Sequence, residues 1–360
     1  IEQVEDRVNE WKMIDSAGFA VPYTNEEIRL SEYWSSQNGL NSNRYSGYLQ
    51  ANYKSDGDIL WNIEYGARLS WWDVNEELLI SPRLSLGWYP NENKKFYLRL
   101  GSGIYYQSVF YREIIDRQGE IHKDTPTPYS IQYTASADYD FKMFERPFHL
   151  KTEVYYKDLK QIIPYSADNI RLIYYPEKEA NGYSAGIDFR VNGEFVKGTD
   201  SWLSLSLMKS GIDIKGEDYG TQPLPTDHLV NVSLFFQDYV PGNKRFRMYL
   251  ALFYLSGLPF GPPNNETYYA PLRMQDYKRV DIGFSVDLKD KQKAYNSSVI
   301  RAFKDITLNL EVFNLLGINN TVSYNWVTVV PNSAVVGNDI YNNFAVPNRL
   351  SARRFNIKLL

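Results

Sequence analysis

The stretch KRVDIGFSVDL, residues 278–288, decides how the rest of the chain is read. Val280, Ile282, Phe284, Val286 and Leu288 alternate with Arg279, Asp281, Gly283, Ser285 and Asp287. A period of two places successive side chains on opposite faces of an extended strand, one face apolar and the other polar. In a soluble sheet the apolar face meets a protein core and the polar face meets water. In a membrane barrel the apolar face meets lipid and the polar face lines a wet interior.

The same alternation recurs along the chain. SIQYTASADYDFK (130–142) sets Ile131, Tyr133, Ala135, Ala137, Tyr139 and Phe141 against Gln132, Thr134, Ser136, Asp138 and Asp140. FHLKTEVYYK (148–157) and YSAGIDFRVNG (183–193) behave alike. The pattern predicts about fourteen strands, near 4–20, 42–54, 58–73, 78–90, 95–111, 127–144, 147–163, 181–196, 200–214, 226–240, 245–258, 277–289, 304–328 and 346–360. Many run to roughly 13–17 residues, longer than the 9–11 that cross a bilayer and far longer than the strands of soluble sandwiches.

Their connections alternate. Tight turns such as SDGD, NENK and PGNK fall near 55–57, 91–94, 145–146, 197–199 and 241–244. Longer loops fall near 21–41, 112–126, 164–180, 215–225, 259–276 and 329–345, with 74–77 shorter and 290–303 longer than the alternation requires. Short turns on one side and long loops on the other are the signature of up-and-down strands in an outer membrane. The fold class expected is therefore all-β, a transmembrane antiparallel up-and-down β-barrel.

Composition agrees. Aromatics make up 16% of the 360 residues, with 30 Tyr and 8 Trp, as girdles at two membrane interfaces require. Mean hydropathy is −0.45 and no apolar run reaches the length of a transmembrane helix. A net charge of −4 argues against a nucleic-acid surface. With no cysteine there are no disulfides and no thiolate metal sites. The first residues, IEQVEDRVNEW, contain no signal peptide.

No catalytic constellation is visible, so an enzyme is not expected. His122, His149 and His228 share no metal-ligand spacing, and no metal or cofactor is expected. Gly101-Ser102-Gly103 lies within a strand, where small residues mark bends or close packing. The parity of the strands points one set of charges inward: Glu64, Arg68, Arg99, Asp138, Lys142, Glu153, Lys157, Asp188, Arg190, Arg279, Asp281 and Glu311. These either hold a plug or conduct solute, or form a mutually paired interior lattice. The long loops carry Tyr174, Tyr175, Tyr219, Tyr268, Tyr269, Trp326 and Tyr341. Exposed rings of this kind suit ligand or partner capture, and equally suit an upper aromatic girdle.

Several stretches resemble the C-terminal portion of TonB-dependent outer-membrane receptors, in the form found in Bacteroidetes. LNLEVFNLLGINNTVSYNWV (308–327), with Asn314-Leu315 ending the alternation, resembles the penultimate strand of that family. NNFAVPNRLSARRFNIKLL (342–360) resembles the final strand, and YYKDLKQIIPYSADNIRLIYY (155–175), FFQDYVPGNKRFRMYL (235–250) and SGLPFGPP (256–263) extend the likeness along nearly the whole chain. The resemblance implies a 22-stranded barrel around an N-terminal plug, nutrient capture by outer loops, and a TonB complex pulling on an N-terminal box. The chain shows neither plug nor box, and its strands match the last fourteen. It is therefore expected to be a C-terminal barrel fragment over 1–360, a self-closed fourteen-stranded barrel being the lesser alternative. The implied role is TonB-coupled uptake of a scarce or large nutrient at the outer membrane. The competing role is a scaffold barrel for surface lipoproteins or secretion machinery. Expected partners are outer-membrane lipid, the TonB complex through a segment missing here, and a surface lipoprotein, with no nucleic acid.

Overall fold

The computed structural model describes residues 2–13, 30–56, 60–90, 94–168, 171–240, 243–261, 269–289, 303, 305–329, 342–349 and 351–360. The alternating segments are strands. In chain order they are β1 (Glu2–Met13), β2 (Leu30–Ser42), β3 (Arg44–Lys54), β4 (Leu60–Trp72), β5 (Leu78–Tyr89), β6 (Phe96–Tyr106), β7 (Tyr129–Met143) and β8 (Arg146–Ile162). A short hairpin of β9 (Tyr165–Asp168) and β10 (Arg171–Tyr174) precedes β11 (Ala180–Val196) and β12 (Thr199–Ile214). Then come β13 (Gln222–Pro223), β14 (Val230–Val240), β15 (Asn243–Leu255), β16 (Pro259–Phe260), β17 (Leu272–Arg273) and β18 (Tyr277–Asp287). The chain continues through β19 (Thr307–Phe313), β20 (Thr321–Val329), β21 (Asn342–Arg349) and β22 (Arg354–Leu359). A four-residue 3-10 turn, Tyr111–Ile114, lies between β6 and β7.

One antiparallel sheet runs β22-β19-β18-β15-β14-β12-β11-β8-β7-β6-β5-β4-β3, with β13 added beside β12. Neighbours in this order are consecutive wall strands, so the topology is up-and-down. The register separates the two faces through the middle of the sheet. One row across the sheet reads Tyr53, Ile63, Leu86, Leu100, Ala135, Val154, Ile187, Leu207 and Val230, every one apolar. The adjacent row on the other face reads Asn52, Glu64, Ser85, Gly101, Thr134, Tyr155, Gly186 and Met208.

The opening stretch follows the same rule. Ile282 lies between Leu250 and Val312, and Phe284 between Met248 and Leu310. Phe284 is 47% exposed, whereas Asp281 on the opposite face is 4% exposed. A buried carboxylate with an open phenylalanine inverts the order of a soluble domain. The apolar face is bracketed by aromatic bands. Near the tight turns, Phe96, Tyr139, Phe141, Phe148 and Phe195 form a chain of ring contacts, and Trp61 stacks on Trp88 at 5.4 Å. At the other end Tyr45 meets Trp71 at 5.8 Å. Trp61 and Trp71 lie ten residues apart, roughly 33 Å along a strand. A tilt of about 40° reduces that to roughly 25 Å, the height of an outer-membrane apolar band.

The buried clusters sit at the loop ends of the strands. Trp72, Val109, Ile114 and Ile163 form one buried cluster, joined by Leu40, Val74, Ile121 and Tyr174. Ala180, Ile212 and Ile214 form a second with Ile162 and Leu224.

Three sequence-derived boundaries are corrected. Of the expected strand 4–20, residues 14–20 lie outside the described residues; among the described ones β1 pairs with β2 in a separate two-stranded sheet, and β2 occupies half of the expected loop 21–41 and runs through Asn43 toward β3. LSEYWSSQNGLNS has no consistent apolar face, so a strand there leaves no period-two signal. The expected strands 304–328 and 346–360 each divide, giving β19 with β20 and β21 with β22. β20 and β21 pair as a separate hairpin, while β22 returns beside β19.

Candidate functional site

All twelve charged residues assigned inward by parity lie on the polar face of the sheet. Glu64 sits beside Ser85, Arg68 beside Ser81, Arg99 beside Ser136, Glu153 beside Asp188, and Lys157 beside Gln132. Most are engaged locally. Arg279 donates from Nε and Nη2 to the Asp281 carboxylate at 2.8 and 2.6 Å, with its guanidinium 5.3 Å from the centre of the Phe313 ring. Glu311 accepts from Tyr249 Oη at 2.9 Å, from Asn356 Nδ2 at 2.6 Å and from Lys358 Nζ at 3.0 Å. Asp188 accepts from Ser206, Arg190 donates to Asn192, and Lys157 lies over the Tyr155 ring. Lys142 faces Pro147 across the β7–β8 turn.

Glu64, Arg68 and Arg99 are brought together in a cleft of about 830 Å³. Gln50, Arg83 and Gln132 add to its polar lining, with Ser46, Ser85 and Thr134. The alternation of 130–142 sets Gln132 on this face; Arg83 was not named from sequence, although its parity places it there. His149 is a further addition. Its Nδ1 and Nε2 meet Asp140 Oδ1 at 2.7 Å and Asp138 Oδ1 at 3.2 Å, tying the ends of β7 and β8 together.

The loop aromatics form three separate ring groups rather than one pocket. Tyr174 packs on the Trp72 cluster, 5.8 Å from Tyr165, and burial pushes its phenol pKa up. The Tyr175 hydroxyl pairs with Ser166 Oγ at 2.9 Å. Tyr219 and Tyr269 meet at 4.8 Å, linking the β12–β14 and β15–β18 loops, with Tyr219 44% exposed. Phe260 stacks on Tyr324 at 4.4 Å and lies 6.0 Å from Trp326, linking the β15–β18 loop to β20. Tyr268 and Tyr341 lie outside the described residues.

Polar knots hold these loops to the wall. Asp227 is fully buried, accepts from Ser210 N–H at 2.6 Å and Ser210 Oγ at 3.0 Å, and pairs with Arg273. Asn320 acts as a surrogate strand: its side-chain amide donates to Lys278 O and accepts from Lys278 N–H, both at 2.9 Å.

Comparison with known proteins places this arrangement. The family model described as "TonB dependent receptor-like, beta-barrel" matches residues 7–315. The chain belongs to the TonB-dependent receptor β-barrel family. It is an outer-membrane β-barrel chain. Among solved structures it resembles the outer membrane transporter YddB from Escherichia coli, with a TM-score of 0.60 and 13% identity, covering 92% of this chain and 47% of that one. The ferripyoverdine receptor of Pseudomonas aeruginosa gives a TM-score of 0.55 at 12% identity, covering 81% and 36%. The ferric-catecholate import receptor Fiu of E. coli gives 0.54 at 12%, covering 81% and 43%. The chain thus spans less than half the length of these receptors. No curated protein sequence matches it.

Proposed function

We propose that this chain supplies wall and outer loops to a receptor that takes up a scarce or large nutrient by TonB-coupled transport. The observation that carries the reading is the segregation of faces: every charge assigned inward by parity lies on one face, across from a continuous apolar row. The polar face lines the passage, and the apolar face meets outer-membrane lipid. The sheet path ends at β3 and β22. In hydrocarbon, unpaired backbone groups at those edges would each cost several kcal/mol, so further strands of a longer receptor close the wall. The TonB complex would act on a segment outside this chain, and a surface lipoprotein is a candidate partner for the outer loops.

The loop aromatics are proposed ligand contacts, Tyr219 and Tyr269 first because they meet across two loops with one ring well exposed. Neighbours that carry ferripyoverdine or import ferric catecholates make an iron chelate the first ligand to test. The test is uptake of radiolabelled iron chelates by iron-limited cells with the gene intact, deleted, or intact without TonB. Transport lost in both deletions supports the reading. Normal growth and uptake after gene deletion, across chelates, glycans and cobalamin, would sink it. Tyr219→Ala and Tyr269→Ala are expected to weaken ligand binding by about tenfold each, about 1.4 kcal/mol.

A further inference from the structure

The connection between β6 and β7 carries a hairpin whose ligand-type side chains converge. Ile115 and Ile121 form an isolated antiparallel bridge. Asp116 N–H donates to Glu120 O at 3.1 Å, and Gly119 N–H donates to Asp116 O at 3.1 Å. Gly119 sits at φ 84°, the left-handed conformation that closes such a turn without a Cβ penalty. The turn sets Asp116 across from Glu120, and the period of two puts Glu120 and His122 on the same face. One ligand-type atom from each of these three residues lies within 4.8 Å of the other two.

We propose that Asp116, Glu120 and His122 bind one divalent transition-metal ion, with Zn²⁺ the first choice. His122 Nε2 and Asp116 Oδ2 are 2.9 Å apart. Donors at about 2.0–2.2 Å on a tetrahedral ion lie roughly 3.3–3.6 Å apart, so this ion pair has to part by only about half an ångström for the two atoms to share one ion. The other Asp116 oxygen accepts Glu120 N–H at 2.8 Å, which orients the carboxylate as an outer hydrogen bond orients a metal ligand. The hairpin is anchored: Ile114 is buried beside Val109, His122 N–H donates to Ile114 O, and Asn38 Nδ2 donates to Gly119 O. One imidazole with two carboxylates favours Zn²⁺ over Ca²⁺ or Mg²⁺, which take oxygen donors alone and in larger number. His149 supplies the contrast. Its two ring nitrogens reach Asp140 and Asp138 on opposite edges of the imidazole, so one ion cannot take both carboxylates and the ring.

The test is a titration of the intact, metal-stripped receptor in detergent with Zn²⁺ by calorimetry and with Co²⁺ by visible absorption. One equivalent is expected to bind, to resist a large excess of Ca²⁺, and to give a Co²⁺ spectrum that His122→Gln abolishes. H122Q and Asp116→Asn should each weaken binding at least about tenfold, with Glu120→Gln in the same direction. His149→Gln should leave it unchanged. Asparagine retains an acceptor for Glu120 N–H, and circular dichroism of each variant distinguishes lost binding from a lost fold. No stoichiometric ion in the wild type, or wild-type affinity in H122Q and E120Q, would overturn the assignment.

Discussion

Asn314 shows how much one side chain does in this wall. It ends β19 at φ 52° while 2% exposed. Its Nδ2 donates to Ile318 O and Ser351 O, its Oδ1 accepts from Ile318 N–H, and its own N–H donates to Asp281 Oδ1. Asparagine is among the few non-glycine residues that adopt this conformation readily. Asn314→Ala and Asn314→Gly both lose the side-chain bonds, but only alanine also meets the backbone penalty. Alanine is expected to be the less stable by about 1 kcal/mol in denaturant unfolding of the micellar protein. Equal stabilities would show that the backbone conformation is not held. Asp227 makes a sharper case. Arg273→Met leaves a fully buried carboxylate without its cation, a loss expected to cost about 3–5 kcal/mol. Asp73 contributes a local pH dependence: Asn43 backbone N–H donates to its carboxylate at 2.8 Å and holds its pKa below the usual range. A depressed folded-state pKa contributes stability above the ordinary carboxylate value and loses it as pH falls through the folded one. Protease sensitivity of the β4–β5 connection should therefore rise on acidification below the ordinary value. Asp73→Asn should remove that step.

At the scale of elements, strands are locked by glycine seats for inner-face aromatics. Tyr249 lies across Gly283, where an added Cβ would fall 2.0 Å from the ring. Tyr155 lies likewise across Gly186. Gly283→Ala must displace Tyr249 and with it the bond to Glu311, and is expected to cost about 1–3 kcal/mol. Tyr249→Ala in the same background should recover part of that loss. A G283A protein as stable as wild type would mean the ring is free to move. These seats explain what sequence reading reached. Alternation is a property of neighbours in the chain, so β7, β8, β11 and β18, and the face taken by each of their charges, were legible directly. The break at Asn314 was visible as an end of alternation, but the turn back through Ile318 and Asn320 depends on Lys278 and Ser351, distant in sequence. The convergence of Asp116, Glu120 and His122 was hidden for a similar reason. Their spacing matches no ligand motif, and it becomes meaningful only once Gly119 folds the chain back. A glycine flanked by paired isoleucines, Ile115 and Ile121, was the available signal.

For the molecule as a whole, the question is which solvent each face meets. Stability does not come from a core between two layers: the buried clusters gather where the loops meet the strand ends, Trp72 closing β4 and Ala180, Ile212 and Ile214 at the ends of β11 and β12. On the proposed reading the apolar row is covered by lipid, and the polar row is satisfied by its own pairs and by water. This separates two substitutions at adjacent register positions of the β7–β8 pair, where Ala135 faces Val154 and Ser136 faces Glu153. Val154 lies in the middle of β8 on the apolar row and is 49% exposed. Ser136 lies in the middle of β7 on the polar face, beside Glu153 and Arg99. In a soluble sheet with an exposed apolar face, Val154→Arg would cost little. In a bilayer an arginine near midplane is expected to cost about 2–4 kcal/mol. Ser136→Arg gains Glu153 as a neighbour, meets repulsion from Arg99, and should stay within about 1 kcal/mol of wild type. Folding into lipid vesicles, followed by denaturant titration, measures both. A large loss confined to V154R places the apolar face in lipid and the polar face in the passage. Equal losses would mean that the two faces share one environment, and the assignment of wall and lumen would fail.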